Sequence, residues 1–281
     1  MQSIGEILMG MSGSAMKQSY ERALKEQQEH PLTDIEWEKR RRESCVDSYD
    51  KAEYDCKLCR NRGFIPTIVE EDGRQVLKNY ICRCMDIRKS IWRLKKSGLD
   101  LAIREKTFDK FIVEQPYQGN MLNKGRVYAE KGIEHGYWFF VGGQPGCGKT
   151  HICTAIAREV LYKKALHYVL WNDFARLEGE AIKSQIEEYK TTPVLYIDDF
   201  FKPVKDYKGN RQFPGMAEVR LAFEIINYRY IKNLPTIISS EWSIKELDGI
   251  DEAIASRIYE KCNSYIVTIQ SNKEKNRRYK N

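Results

Sequence analysis

Eight consecutive residues, Gly143-Gln144-Pro145-Gly146-Cys147-Gly148-Lys149-Thr150, have the spacing G-x-x-x-x-G-K-T. Phosphate oxygens need several N–H donors converging on one point, and glycines let the backbone close tightly enough to aim them. In such a loop the lysine reaches the β- and γ-phosphates and the threonine hydroxyl ligates Mg²⁺. The next helix adds the partial positive charge of its N-terminus. The expected nucleotide contacts therefore run from Gly143 through Lys149 and Thr150 to His151. A second chemical pair, Asp198-Asp199, comes directly after the apolar run Val194-Leu195-Tyr196-Ile197. Asp198 suits the Mg²⁺ shell beside Thr150, and Asp199 suits orienting or deprotonating the attacking water. A kinase-type phosphoryl transfer needs only the first acid, so the pair points to hydrolysis. No Asn-Lys-x-Asp stretch that would read guanine is present, which makes ATP the expected nucleotide.

A third constellation is Cys56-x-x-Cys59 and, 22 residues later, Cys82-x-Cys84. Zn²⁺ takes four thiolates in a tetrahedron, and two tight cysteine pairs on facing loops supply them. With four protein ligands no coordination position stays open, so the expected metal is structural, and folding of the segment should depend on it. Cys45, Cys153 and Cys262 read as core or surface residues, and Cys147 as a small residue of the phosphate loop.

The elements around these residues are set by pattern. Thr33 with Glu36 makes a capping box that starts a helix through about Glu43. Phe64–Val69 and Gln75–Ile81 read as a hairpin turned at Glu71-Asp72-Gly73, and a basic helix comes after Cys84. Residues 100–120 read as a linker, with Thr107, Phe108 and Phe111 docking on the nucleotide domain. Beyond it, strands at Tyr137–Val141, His167–Trp171, Val194–Ile197, Thr236–Ser239 and Tyr265–Ile269 alternate with helices at Thr150–Lys163, Asp173–Tyr189, Met216–Lys232 and Asp251–Lys261. Apolar strands alternating with helices imply a parallel sheet covered on both faces. Three segments are expected: 1–105 as a helical and zinc-binding module with a linker helix, 106–270 as the nucleotide domain, and 271–281 as a basic tail.

Composition narrows the class. Over 281 residues, 42% are apolar and 31% charged, which allows a core and excludes collagen-like, disulfide-scaffold and wholly disordered chains. No apolar run is long enough to cross a membrane, and the N-terminus lacks the pattern of a signal peptide, so the expected location is the cytoplasm. The net charge of +7 is concentrated: Arg83–Lys96 carries +5 and Lys273–Asn281 carries +4. Either segment fits a polyanion or a solvated surface.

Taken together, the residues resemble the AAA+ ATPases of the DnaC/DnaI helicase-loader and IstB transposition-helper group. The resemblance covers roughly Phe108 to Ile269 and rests on Gly-Gly-Gln-Pro-Gly-Cys-Gly-Lys-Thr-His, Tyr-Ile-Asp-Asp-Phe, Ile-Ile-Asn-Tyr-Arg-Tyr, Pro-Thr-Ile-Ile-Ser-Ser and Ala-Ser-Arg-Ile-Tyr-Glu. It implies an α/β fold with a parallel sheet of order 5-1-4-3-2 and no developed lid. It also implies that Arg257 is an arginine finger acting on a neighbour's γ-phosphate, where the plain alternative is a surface arginine paired with Glu252 or Glu260. Arg229 resembles a family arginine, and a salt bridge on a helix face explains it equally well. The family places a polar sensor, often Asn, where this chain has Ser240-Glu241, and Glu241 departs from that pattern.

The expected function is that of an ATP-dependent loader of a replicative DNA helicase. Its cofactors are ATP, Mg²⁺ and Zn²⁺. Its partners are a hexameric helicase at the N-terminal module, single-stranded DNA at the ATPase, and other copies of the chain at the ATP sites. Phe200, Phe201, Lys202, Lys205, Tyr207 and Lys208 give the aromatic and basic mixture of a single-strand contact, and a core or lid loop accounts for them as well. Two other readings are an IstB-like helper of DNA transposition and a zinc-containing regulator that holds nucleotide only structurally.

Overall fold

The computed structural model describes residues 32–44, 49–96, 99–177, 179–270, 272, 275 and 276. The start of the expected N-terminal module up to residue 31, Cys45, and most of the basic tail lie outside them. The chain divides between Met85 and Asp86 into two compact units.

In the first unit, helix α1 (Asp34–Glu43) begins at the expected capping box, where Glu36 Oε2 accepts from the Thr33 N–H at 2.8 Å. Strands β1 (Phe64–Glu71) and β2 (Arg74–Ile81) pair antiparallel, Phe64 opposite Ile81 and Glu71 opposite Arg74. Asp72 and Gly73 turn between them with φ of +49° and +71°, the conformation a two-residue hairpin requires.

Helix α2 (Cys84–Lys96) carries the basic segment across the division. Its later turns belong to the second unit: Ser90 Oγ accepts from the Leu166 N–H, and Arg93 pairs with Glu188. Residues expected as linker instead hold helix α3 (Leu99–Glu105) and the start of helix α4 (Pro116–Val127), which runs into a π-turn at Tyr128–Gly132. Strand β3 (Phe139–Gly143) leads through the glycine loop into helix α5 (Lys149–Leu161). Strand β4 (Leu166–Leu170) precedes the single turn α6 (Trp171–Phe174) and helix α7 (Glu180–Thr191). The continuous helix expected over Asp173–Tyr189 is thus two pieces, because Gly179 takes φ +70° ahead of α7.

After strand β5 (Val194–Phe200) come a short hairpin, β6 (Val204–Lys205) and β7 (Arg211–Gln212), then helix α8 (Met216–Ile231) and strand β8 (Thr236–Ser240). Helix α9 (Ile244–Asp248), helix α10 (Glu252–Cys262) and strand β9 (Ile266–Ile269) complete the unit. The five main strands run parallel in the order β4-β5-β8-β3-β9. Numbered along the chain, that is the 5-1-4-3-2 order expected from the sequence. Every residue of β3 and β8 is buried, which explains why neither strand alternates between apolar and charged residues. The edge strands β4 and β9 are only partly buried. One core joins Trp138, Phe140, Ile197, Phe200, Ile226 and Ile258, each worth roughly 1.5–3 kcal/mol of burial.

A candidate nucleotide site and a cysteine cluster

The glycine loop leaves β3 and enters α5 at positions where only glycine fits. Gly143 has φ +141°, and a Cβ there would lie 2.5 Å from the Ile269 carbonyl oxygen. Gly148 caps α5 with φ +100°, and a Cβ would lie 2.9 Å from the Phe111 ring. Lys149 is buried, and its Nζ donates to the carbonyls of Gly143 at 2.8 Å and Gln144 at 2.9 Å. The ammonium is thereby held over the loop.

Parallel order places β5 beside β8, one strand from β3, so the acidic pair reaches the same end of the sheet. Asp198 is 5% exposed and Asp199 is not fully buried. Three hydroxyls converge on Asp198: Thr150 Oγ1 lies 3.3 Å from its Oδ1, Ser239 donates to the same oxygen, and the Tyr168 hydroxyl lies 3.4 Å from Oδ2. Burial pushes this carboxyl above the usual carboxylate range, and the Ser239 hydrogen bond opposes the rise. Asp198 makes no ion pair among the described residues. A buried oxygen cluster of this kind suits a hard divalent cation, so Thr150 and Asp198 could hold Mg²⁺.

Asp199 is turned elsewhere by a break in the sheet. Between Ile197 and Phe200, β5 gains one residue against β8, and Asp199 takes φ +54°. Such bulges re-aim side chains beside active sites. Asp199 therefore lines a cavity of about 320 Å³ together with Lys149, Thr150, His151, Lys202 and Glu241. Its N–H donates to Ser239 Oγ at 3.1 Å, and its carboxylate pairs with Lys202 at 2.7 Å.

Of the other residues expected at the loop, His151 lines the same cavity, while Gly143 and Gln144 line a neighbouring one. His151 Nε2 lies 2.8 Å from the Thr107 carbonyl, and its ring meets Phe111 edge-on, so the expected docking of Thr107 and Phe111 is present. Gln144 Oε1 accepts from the Asn272 N–H at 2.6 Å, and the Cys147 thiol, raised by burial, donates to the Gln144 carbonyl. Pro145 and Gly146 line the cavity directly.

Arg257 lies apart from it. Its Nε donates to Asn227 Oδ1 at 3.1 Å and its Nη1 to the Ala253 carbonyl at 2.8 Å, with the rings of Phe223 and Tyr230 beside it. Neither Glu252 nor Glu260 pairs with it; Glu260 instead accepts from the Tyr230 hydroxyl. Of the two readings of Arg229, the salt bridge on a helix face does not form. Arg229 is fully buried and donates to Thr236 Oγ1 and the carbonyls of Tyr189, Lys190, Thr192 and Pro235. It ties α8 to the end of α7 and the start of β8, its five N–H donors meeting four carbonyls and one hydroxyl. Phe200 and Phe201 are also corrected: both are buried and stacked at 4.1 Å in the core, so neither meets DNA.

Ser239 belongs to the site although the resemblance pointed to the next two residues, Ser240 and Glu241. It bridges both acids from the end of β8, and only the adjacency of β5 and β8 reveals it. Lys202 gives a faint signal, a cation three residues beyond Asp199.

In the first unit, all four cysteine sulfurs are buried and lie within 4.8 Å of one another. Cys56 and Cys82 sulfurs are 3.8 Å apart, and Cys59 and Cys84 sulfurs 3.5 Å. A tetrahedron with Zn–S near 2.3 Å needs sulfurs about 3.8 Å apart. Burial raises the thiols of Cys82 and Cys84. At Cys59 burial acts the same way, but the Gly63 N–H and the neighbouring thiols together outweigh it and bring the group to about 7. Asn61 Oδ1 accepts from the Cys56 N–H and shapes the first knuckle. The donor set and spacing could hold one zinc ion.

No family model matches the chain. It is 32% identical over 232 residues to XkdC, a protein of the phage-like element PBSX of Bacillus subtilis (strain 168), covering 79% of this chain and 84% of that one. It is 24% identical over 287 residues to the replicative helicase loader DnaI of the same organism, covering 88% and 87%. A crystal structure of DnaI superposes on 60% of this chain with a TM-score of 0.47 and 20% identity.

Proposed function

Because the chain belongs to the DnaC/DnaI-type helicase-loader group of AAA+ ATPases, we propose that it couples ATP hydrolysis to the loading of a replicative DNA helicase. The observation that carries the proposal is the convergence of Lys149, Thr150, Asp198 and Asp199 at one end of the sheet, three of them on a single cavity.

Lys149 takes the β- and γ-phosphates in place of the two carbonyls it now meets. Thr150 and Asp198 hold Mg²⁺, which when bound neutralises charge on those phosphates. Asp199 accepts the proton of the attacking water, and Ser239 fixes the angle between the two acids. Arg257 reaches the site of a neighbouring copy rather than its own, so turnover depends on self-association. The four cysteines hold zinc and shape the N-terminal module, which binds the hexameric helicase. The ATPase unit binds single-stranded DNA.

The experiment is capture of partners by the full chain with ATP. Retention of a hexameric helicase, lost in Cys56→Ser with Cys59→Ser, supports the reading. Retention of a transposase instead would overturn it in favour of a transposition helper.

A further inference from the structure

Asp198 is the only buried acid among the described residues, and both of its oxygens are met. Thr150 and Ser239 reach Oδ1. The Tyr168 hydroxyl lies 3.4 Å from Oδ2 and comes from β4, the strand at the edge of the sheet. Tyr168 stands opposite Tyr196 in the register, and Asp198 is two residues further along β5. The Tyr168 ring meets the buried Tyr196 ring edge-on at 5.1 Å, which holds the phenol against β5.

A ring that only filled space would have no need of a hydroxyl on the one buried carboxylate. A carboxylate that ligates a cation through one oxygen is set in angle by what bonds the other. Loss of such a partner weakens metal binding about 10- to 100-fold.

An edge strand can hold that angle only if it is itself held. Parallel pairing engages alternate residues of β4: the Val194 N–H donates to the Ala165 carbonyl at 3.2 Å, which leaves the Leu166 N–H on the open side. There it donates to Ser90 Oγ of α2 at 3.1 Å. Ser90 and Leu166 are both buried, and the Ser90 hydroxyl donates in turn to the Asp86 carbonyl at 2.8 Å. Further along α2, Arg93 pairs with Glu188 of α7, and the His167 imidazole of β4 lies 3.7 Å from the same carboxylate. Helix α2 thus stands where a further strand would pair with β4. Leu166, which it holds, and Tyr168 share one face of that strand.

We propose that Tyr168 is a positioning residue for the Mg²⁺ ligand Asp198, and that α2 keeps it in place through Ser90. The inference rests on the nucleotide and metal reading above and is independent of the helicase.

The test uses the full chain and a fluorescent, non-hydrolysable ATP analogue, titrated with Mg²⁺ and also bound in EDTA. Tyr168→Phe should raise the Mg²⁺ half-saturation about tenfold and leave the affinity in EDTA at the parental value. Ser90→Ala should raise the half-saturation about threefold, again with parental affinity in EDTA. In the Tyr168→Phe background, Ser90→Ala should add nothing. An unchanged half-saturation in Tyr168→Phe overturns the positioning role. Equal losses with Mg²⁺ and in EDTA overturn it as well and make Tyr168 a packing residue. Additive effects of the two substitutions, or none from Ser90→Ala, overturn the part played by α2. Parental binding that ignores Mg²⁺ overturns the metal assignment and the proposal with it. Mg²⁺-linked binding that shows these shifts, without ATP turnover in any form, overturns the hydrolysis reading alone and supports the role of Tyr168.

Discussion

The Thr150 hydroxyl lies 3.3 Å from Asp198 Oδ1, joining two residues 48 positions apart in the chain. One stands in the first turn of α5 and the other near the end of β5, and the strand order alone brings those ends together. The contact places a hydroxyl and a buried carboxylate where a divalent cation would need both.

Removing the loop lysine should abolish turnover. Lys149→Ala deletes the cation nearest the Gly143 and Gln144 carbonyls, and kcat for ATP should fall at least about a hundredfold. Phosphate release measured on folded variant checks this; parental turnover would reject the site.

Neutralising Asp198 should stabilise the nucleotide-free chain while ending its function. Burial raises this carboxyl's pKa, so the folded state disfavours the charge that the unfolded chain carries freely. The stability it contributes is present at low pH and lost as pH rises through the folded value. Asp198→Asn should therefore raise the thermal midpoint by a few degrees near pH 7, with Mg²⁺-ATP adding no further stabilisation. Calorimetry with and without nucleotide decides it; a lower midpoint would contradict the account.

Arg257 is tied to Asn227 and Ala253 on its own chain and lines no part of its own nucleotide cavity. If it serves a neighbour, Arg257→Ala and Lys149→Ala proteins, each inactive alone, should regain part of the turnover when mixed. Absence of recovery at every mixing ratio counts against the role.

Zinc should be stoichiometric and structural. Metal analysis should find about one zinc per chain, and Cys84→Ser should lose it along with protection of amide hydrogens in Phe64–Ile81. Exchange protection in β3 and β8 should persist, because the second unit has its own core.

Acid should weaken the chain through His167. Burial pushes this imidazole down to about 4 from 6.5, with Glu188 opposing and Arg93 reinforcing the shift. The folded chain binds the proton less well than the unfolded one. Stability is therefore full above pH 6.5 and lost as pH falls toward 4, by about 3 kcal/mol. Urea midpoints across that window should fall less steeply in His167→Gln; identical slopes would reject the assignment.

Much of the molecule is legible in its sequence because it is local. The loop from Gly143 to Thr150, the cysteine pairs, the Thr33–Glu36 cap and the Asp72-Gly73 turn each depend on residues a few positions apart, where backbone geometry and ligand spacing are set by type and interval. Alternating buried strands and helices also announce the parallel sheet. Burial of long-range partners is not legible. Phe200 and Phe201 look the same in sequence as Tyr207 and Phe213, yet the first two fill the core and the others face solvent, because the chain turns out of β5 at Phe201, with φ +52°, and leaves the core. Arg229 and Arg257 both sit on helices, and only the tertiary packing gives one a set of buried carbonyls and the other a pair of rings beside it. Ser239 lies in the run Pro-Thr-Ile-Ile-Ser-Ser, but nothing in that run singles it out from Ser240. Its place between two acids exists because β5 and β8 are neighbours, a fact of sheet order that no short stretch of sequence contains.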